Sequence, residues 1–534
     1  MVAETRTRTR SRRALVHLGT LLAGVALTTA AHAQALSIAS SAPVTSIDPH
    51  YHTLTPNESF DSHVYDRLVD HDARGKLIPA LAESWKRLDD TTWEFKLRPG
   101  VKFHDGSAFT AEDVAYSIAR VPRVKNSPAS FSIYTKAIES TEVVDPSTIR
   151  MHTRGVYPLL PIDLTQVFII PHGLGPDPAT EDFNSGKNAI GTGPYRFVSY
   201  KPGDRIEMDR FDGYWGSKPY WQHVSYRMIN NDASRTAALL AGDVGIIEFV
   251  PPTDLPGLRK DARVRLAEVI SNRSIFLWLD HSREGPTPLV FGPNGETLAK
   301  NPLKDRRVRQ ALSLAINRQA IVDRVLENAA IPTGQYLPPG APTYNPDIKP
   351  APFDPVRAKA LLAEAGFPNG LRVTLNGPND RYVADAKIIQ AVGQMWQRIG
   401  VQTNVEPMPW SAYVARAGRQ EMSLFLFGWG VSSGEGINPL RAQLATWNPE
   451  RGLGTANRGR YSNPVLDGLI DKAMTTLDDD AREKVVQQAM AMAMDDVPVV
   501  MLHLQKNIWA TRADLVYEPR TDEDTRAMGV RPAP

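Results

Sequence analysis

Hydrophobic and polar residues alternate in strand-like runs between helical stretches along most of the chain. Trp93–Leu97 alternates as a half-buried strand does, and Pro99-Gly100 ends the run as a turn. Thr110 then precedes Glu112 and Asp113, a pattern typical of a helix N-terminus. Leu81–Arg120 is therefore predicted to form strand, turn, strand and helix, a scaffolding unit rather than a ligand contact.

Helical spacing is clearest in the second half of the chain. Residues 305–328 carry apolar side chains at helical spacing and predict one long helix. Further helices are predicted over 355–365, 384–399, 464–477 and 479–494, and strands over 371–375, 401–405, 423–427 and 499–504. This order of elements predicts a mixed α/β fold.

Composition limits the classes of partner. The chain has 534 residues, 42% of them hydrophobic, which is enough for two or three domains with substantial cores. Charged residues make up 22% and nearly balance, which argues against nucleic acid or an anionic membrane as a partner. The chain has no cysteine, which excludes disulfides, thiolate metal sites and a lipid-modified N-terminus.

The N-terminus has the pattern of an export signal. Five arginines lie within residues 6–13, residues 14–26 are mostly apolar, and Ala31-His32-Ala33 is a small-x-small cleavage site. We predict that residues 1–33 are a cleaved signal peptide; the alternative is an uncleaved N-terminal anchor. Cleavage lowers the basic count from 61 to 56 and the acidic count from 59 to 58, so the mature charge is −2. Ser11–Leu15 also resembles a twin-arginine signal, which leaves the export route open.

Several motifs together resemble one known family. The run from Leu81 to Arg120, including Trp93–Gly106 and Phe109–Val114, resembles the signature of the family 5 extracellular solute-binding proteins, the peptide, nickel and related receptors of bacterial ABC importers. Four further segments are similar to that family: Gly191–Tyr195, Arg307–Arg318, Ala363–Phe367 and Pro498–Leu502. The resemblance extends over most of residues 36–520.

The resemblance implies a two-lobed periplasmic-binding-protein fold of type II, α/β in class, with an extra subdomain in the first lobe and a ligand cleft between the lobes. We expect lobe I over residues 34–270, lobe II over 271–500 and a return to lobe I over 501–534. It also implies a periplasmic monomer without a cofactor. Such a receptor closes on a small molecule or short peptide and delivers it to ABC permease subunits.

The loop after the apolar strand 423–427 is the first candidate for the ligand site. Ligands of open α/β sheets collect beyond the carboxyl ends of strands, and the Gly/Ser-rich segment 428–436 exposes backbone groups there. Trp429 adds a flat apolar wall beside Gly430; the alternative is a plain turn with a core tryptophan. In dipeptide receptors of the family this loop carries an aspartate for the ligand's ammonium group. Ser432 occupies that position here, and Glu435 is the candidate replacement.

The second candidate pole follows the strand 371–375. The resemblance places Arg381 where dipeptide receptors bind the ligand carboxylate, with Tyr382 beside it. A guanidinium forms bidentate bonds and stays charged when desolvated; the alternative is a surface arginine paired with Asp380 or Asp385. Trp410 is either another aromatic wall or a core residue, and Asn57 lies in a first-lobe segment expected to meet the ligand.

The sequence gives weaker support for a metal site or an enzyme. His50 and His52 lack a clear third ligand for a metal. The metalloprotease motif His-Glu-x-x-His, a cysteine nucleophile and phosphate-binding loops are absent from the sequence, which argues against an enzyme. The sequence therefore predicts a receptor for a short peptide or peptide-like carboxylate. The rivals are a nonpeptide ligand (an opine, a glycoside, glutathione or a chelated metal) and an exported hydrolase.

Overall fold

The computed structural model describes residues 1, 35–128, 130–431 and 433–534. The strands are β1 Ala35–Ser40, β2 Val69–His71, β3 Leu77–Pro79, β4 Ala82–Arg87, β5 Thr92–Leu97, β6 Ile138–Asp145, β7 Thr148–Thr153, β8 Tyr195–Lys201, β9 Arg205–Arg210, β10 His223–Met228, β11 Ile246–Ile247, β12 Val264–Leu279, β13 Val290–Phe291, β14 Ala330–Pro332, β15 Leu371–Pro378, β16 Val401–Met408, β17 Leu424–Gly430, β18 Val499–Arg512, β19 Leu515–Tyr517 and β20 Val530–Pro532.

Helices pack against these strands in every part of the described chain. They are α1 Thr55–Val64, α2 Ala111–Arg120, α3 Ser132–Thr135, α4 Leu160–Asp163, α5 Thr180–Asn184, α6 Asp232–Ala241, α7 Leu255–Leu258, α8 Arg306–Leu314, α9 Arg318–Arg324, α10 Pro355–Glu364, α11 Asp385–Gln397, α12 Trp410–Gly418, α13 Ile437–Pro439, α14 Pro464–Thr475 and α15 Asp479–Asp496. The predicted mixed α/β class is confirmed.

Two long antiparallel strands, β12 and β18, run through the largest sheet and connect its halves. One half contains β8, β9, β10, β1 and β11, and is called the first lobe here because it falls in the range predicted for lobe I. The other contains β17, β15, β16 and β13, which fall in the range predicted for lobe II, and is called the second lobe. The β12–β18 register is irregular between Ile270 and Ser274. This break lies where the sequence predicts the crossover between lobes, and we propose it as the lobe boundary.

A separate antiparallel sheet in the order β4-β5-β7-β6 forms the extra subdomain. Helix α2 packs on it through Val114 and Ile118, and Thr110 and Asp113 form a capping box at its N-terminus. The segment Leu81–Arg120 is thus a scaffold, as predicted. Its second predicted strand is reduced to one isolated bridge between Lys102 and Ala108.

The predicted helix over residues 305–328 is two helices instead. Helix α8 ends at Leu314, and α9 begins at Arg318. The Asn317 side chain accepts a 2.9 Å hydrogen bond from the amide of Ala320, which caps the second helix and stops the first from continuing. The apolar spacing continued across this break, so periodicity alone did not reveal it.

The predicted signal peptide falls on residues outside the described range, apart from Met1. Among the described residues, no helix has the length and apolar character needed to cross a membrane. The bounds of the two lobes stay predictions.

Candidate functional site

A cavity of about 340 Å³ lies where the two halves of the large sheet meet. The second lobe contributes the end of β17 and the turn after β15, and the first lobe contributes the start of α1 and the C-terminal segment 521–526. The irregular part of β12, around Ser271–Arg273, forms its base. A cavity of this size accommodates a small ligand, since ligand pockets start at about 300 Å³.

Arg381 lines this cavity, and its guanidinium makes no hydrogen bond or ion pair with any described residue. Neither Asp380 nor Asp385, the two alternative partners, forms an ion pair with this guanidinium. Asp380 accepts a 2.7 Å bond from the amide of Trp410, and Asp385 accepts bonds of 3.0 Å from the amides of Arg381 and Tyr382. Asp385 therefore fixes the backbone turn that presents Arg381, and leaves the guanidinium available.

Aromatic rings surround the cationic end of the cavity. The guanidinium carbon of Arg381 lies 5.4 Å from the ring centre of Tyr382 and 5.5 Å from that of Trp410. Trp410 lies 5.6 Å from Phe427, and all three aromatic residues line the cavity. Trp410 was predicted to be either an aromatic wall of the site or a core residue. It packs on the core and also lines the cavity. Burial and the nearby Arg273 lower the pKa of Arg381, so an anion placed here relieves an unfavourable charge.

Trp429 and Gly430 line the cavity as predicted, but they belong to β17 rather than to a loop. The indole of Trp429 donates a 2.8 Å hydrogen bond to Asn438, which fixes its ring at the cavity wall. A Cβ atom at Gly428 would lie 2.7 Å from the ring of Tyr382. The glycine therefore lets the tyrosine pack directly on the strand. Ser432 lies outside the described residues.

Glu435 is not among the residues that line the cavity. Its carboxylate lies 3.7 Å from the guanidinium of Arg482; the Arg482 side chain is buried and that of Glu435 is largely buried. Burial raises the pKa of Glu435, and the charge of Arg482 opposes this rise. The structure thus places this carboxylate away from the predicted ligand.

Asn57 lies behind the cavity wall, and its neighbour Glu58 lines the cavity. The Asn57 side chain is buried, accepts a 3.1 Å bond from the amide of Thr45 and donates to the carbonyl of Ser46. It holds the segment before α1 in place. The Glu58 carboxylate forms no hydrogen bond or ion pair with any described residue, and burial raises its pKa to about 7.

The base of the cavity is a network of ion pairs. Arg273 donates bonds of 2.7 and 2.6 Å to Glu523, and Arg526 lies 2.9 Å from both Asp70 and Asp524. The three consecutive acidic residues 522–524, flanked by Arg520 and Arg526, are a signal for such a network that our sequence reasoning did not use. It also missed Glu58 as an individual site residue, and Arg458, which lines the second-lobe wall.

The two histidines considered for a metal site have other roles. His50 is buried, with Nε2 2.8 Å from the carbonyl of Phe168 and Nδ1 3.1 Å from Arg120. His52 Nδ1 lies 3.0 Å from the hydroxyl of Thr45. The described residues contain no cluster of His, Cys, Asp or Glu side chains that would hold a metal ion.

A scan against protein families matches residues 76–450 to the bacterial extracellular solute-binding proteins, family 5. Heme-binding protein A of Haemophilus influenzae is 30% identical over 477 residues, which cover 83% of this chain and 82% of that protein. A glutathione-binding protein of Pectobacterium atrosepticum is 30% identical over 517 residues, which cover 94% of this chain and 95% of that protein.

A solved structure is similar over almost the whole chain. An ABC transporter-associated periplasmic binding protein from Helicobacter pylori, in complex with the peptide STSA, superimposes with a TM-score of 0.77 at 24% identity. The superposition covers 93% of this chain and 98% of the other. This match confirms the predicted two-lobed fold with its cleft.

Proposed function

Because this chain belongs to the bacterial extracellular solute-binding proteins of family 5, we propose that its cleft captures a short peptide or a peptide-like carboxylate. Proteins of this family are periplasmic receptors of ABC importers, and this chain is such a receptor. We further propose that residues 1–33 are its signal peptide. The mature periplasmic protein then begins at Gln34, which its intact mass tests.

The observation that supports a peptide ligand is a pair of unpaired opposite charges on the two lobes. Arg381 belongs to the second lobe and Glu58 to the first, and both line one cavity. A peptide carries a carboxylate at one end and an ammonium group at the other, so it complements both charges. The guanidinium of Arg381 binds the carboxylate bidentately, and Glu58 accepts hydrogen bonds from the ammonium group.

This arrangement links binding to closure. A ligand held by Arg381 alone would bind open and closed forms alike and shift no equilibrium. Contact with Glu58 on the other lobe is complete only when the cleft closes, so the ligand favours the closed form. The closed form is the one that we expect the permease to recognise.

Glutathione is a narrower candidate within this class. One relative of 30% identity is named for glutathione binding, and glutathione is itself a peptide with free carboxylates and an ammonium group. The same two charges of the cavity suit it. We therefore include glutathione among the ligands to be measured.

Calorimetry with Ala-Ala, Ala-Ala amide and glutathione tests this proposal. Charge-assisted hydrogen bonds contribute about 1.5–3 kcal/mol, so Ala-Ala should bind about 10- to 100-fold more tightly than its amide. Arg381→Gln should remove that difference, whereas Arg419→Gln, at an exposed arginine outside the cavity, should retain it. Failure of every peptide to bind, or an unchanged preference in Arg381→Gln, would contradict the proposal.

A further inference from the structure

The arginines in the cavity lining divide into paired and unpaired residues. Five arginines line the cavity, and three of them form ion pairs: Arg67 with Asp70, Arg273 with Glu523, and Arg526 with Asp524. The other two, Arg381 and Arg458, form no ion pair within 4.0 Å and no side-chain hydrogen bond with any described residue. Both lie on the second-lobe side of the cavity.

Arg458 lies against the same aromatic residues as Arg381 but at a different place. Its guanidinium carbon lies 5.0 Å from the ring centre of Phe427. The side chain makes no hydrogen bond to any described residue, and its Nε atom is buried without a partner. Burial lowers the pKa of Arg458, but a guanidinium retains its charge in proteins. An uncompensated cation therefore faces the cavity.

The backbone that carries Arg458 is held firmly. The buried side chain of Asn457 donates bonds of 3.0 Å to the carbonyl of Ala445 and 2.7 Å to that of Tyr461. It also accepts a 3.0 Å bond from the amide of Tyr461. These bonds fix the turn from both sides, so the position of Arg458 is built into the fold.

Arg235 shows how a buried arginine with a structural role is bonded in this protein. Arg235 is buried and donates to the carbonyls of Glu248 and Phe249 and to the carboxylate of Asp232. Its donors are therefore satisfied without a ligand. Arg458 lacks such acceptors, although its Nε atom is equally removed from water, and leaving a buried donor unpaired is costly. The difference indicates that its acceptor comes from a bound molecule.

We infer that Arg458 forms a second anion subsite, and that the preferred ligand is a short peptide with a further carboxylate in a side chain. This inference rests on the proposed binding of a peptide through Arg381 and Glu58. After internal pairing, the lining retains two free guanidinium groups and one free carboxylate. A peptide with two carboxylates and one ammonium group matches these three charges, whereas a neutral dipeptide leaves Arg458 desolvated and unpaired.

Matched peptide pairs test the subsite. Binding is measured by calorimetry for Ala-Glu against Ala-Gln, Glu-Ala against Gln-Ala, and Ala-Glu-Ala against Ala-Gln-Ala. Within each pair the shapes are nearly equal and only the side-chain charge differs. We expect at least one glutamate peptide to bind ten times or more as tightly as its glutamine partner, and Arg458→Gln to abolish that preference.

Two variants serve as controls. Arg458→Lys keeps the positive charge and should keep part of the preference. Arg460→Gln changes an arginine two residues away that lies over Trp447, outside the cavity, and should keep all of it. Peptides that bind without a preference for glutamate, or a preference that survives in Arg458→Gln, would overturn the subsite and leave the proposed function standing. If none of the six peptides bound, the proposed function would fail, and the subsite with it.

Discussion

Arg441 and Asp163 form a buried ion pair, with the guanidinium donating a 2.8 Å hydrogen bond to the carboxylate. Arg441 follows β17 in the second lobe, whereas Asp163 ends α4, next to the extra subdomain. Arg441 also donates a 2.6 Å bond to the hydroxyl of Tyr157. The pair therefore joins a segment in the range predicted for lobe I to a segment in the range predicted for lobe II.

Breaking this pair should disfavour the closed form. Arg441→Met leaves Asp163 buried without a cation, which costs about 3–5 kcal/mol where no water replaces the arginine. We propose that opening separates the two segments, which would expose the carboxylate to water and avoid that cost. We expect ligand affinity to fall at least 100-fold and the radius of gyration of the loaded protein, from small-angle scattering, to rise towards the open value.

The double variant Arg441→Met/Asp163→Asn is the control for this pair. It removes both charges, so it should recover part of the affinity that Arg441→Met loses. Equal affinity of Arg441→Met and the native protein would show that the pair does not support closure.

Ligand binding should depend on pH through Glu58. Burial raises the pKa of this carboxyl to about 7, so it is half protonated near pH 7 in the free protein. An ammonium group requires the charged form of this carboxyl, so affinity should be highest near about pH 7.5 and fall towards about tenfold per pH unit well below pH 7. Above about pH 8 the peptide's own ammonium group loses its proton. For folding the sign is opposite: the raised pKa stabilises the free protein at low pH, and this contribution is lost as the pH rises through about 7.

Two substitutions separate Glu58 from other groups that titrate. Asp524, whose pKa burial raises to about 6, also lines the cavity, so Glu58→Gln is needed to assign the effect. Calorimetry of Ala-Ala from about pH 5.5 to about pH 7.5, below the pKa of the ligand's own ammonium group, should give a flat profile for Glu58→Gln at low affinity. Glu435→Gln should behave like the native protein, because its carboxylate lies outside the cavity lining. A pH-dependent Glu58→Gln would refute this assignment.

The sequence predicted the elements whose patterns are local. Strand β5, the capped helix α2 and the helix α10 lie where periodicity and capping residues placed them. The break between α8 and α9 was missed because the apolar spacing continues across it, while the Asn317 side chain caps the second helix. Local signals thus fixed most boundaries to within a few residues, except where a side chain ends a helix.

The site was only partly predictable for a related reason. Arg381 follows a strand recognisable in the sequence, and the family resemblance assigned it to the ligand carboxylate. Arg458 lies between helices, in turns that only the contacts of Asn457 fix, and no periodic pattern marks it. Glu58 faces the cavity because buried Asn57 anchors the preceding segment to Thr45 and Ser46, a tertiary relationship without a local signal.

The stability of the first lobe should depend on the ion pair between Asp48 and Arg120. Both side chains are buried, and the guanidinium donates bonds of 2.8 and 2.6 Å to the carboxylate. Asp48→Asn leaves Arg120 without its anion, which should lower the free energy of unfolding by about 3–5 kcal/mol. Urea denaturation followed by circular dichroism measures this loss.

The same pair predicts a stability loss in acid. Burial raises the pKa of Asp48, but its bonds with Arg120 outweigh this effect and hold the pKa below its ordinary value. The stabilisation is therefore complete above about pH 4 and disappears as the pH falls through the lowered pKa. Asp48→Asn should lack this part of the acid sensitivity; an equal pH dependence of the two proteins would contradict it.

Two glycines of β17 should differ in their tolerance of a methyl group. At Gly428 a Cβ atom would lie 2.7 Å from the Tyr382 ring and 2.8 Å from Ile275, closer than packed atoms allow. At Gly430 the nearest atom would be a guanidinium nitrogen of Arg273, at 3.2 Å, which is a milder approach. Gly428→Ala should displace Tyr382, and with it the ring that lies against Arg381.

We expect Gly428→Ala to lower the affinity for Ala-Ala by about tenfold, which is about 1.4 kcal/mol, and to reduce thermal stability. Gly430→Ala should have the smaller effect in both calorimetry and thermal unfolding. The reverse order would show that Arg273, not Tyr382, is the more sensitive support of the cavity.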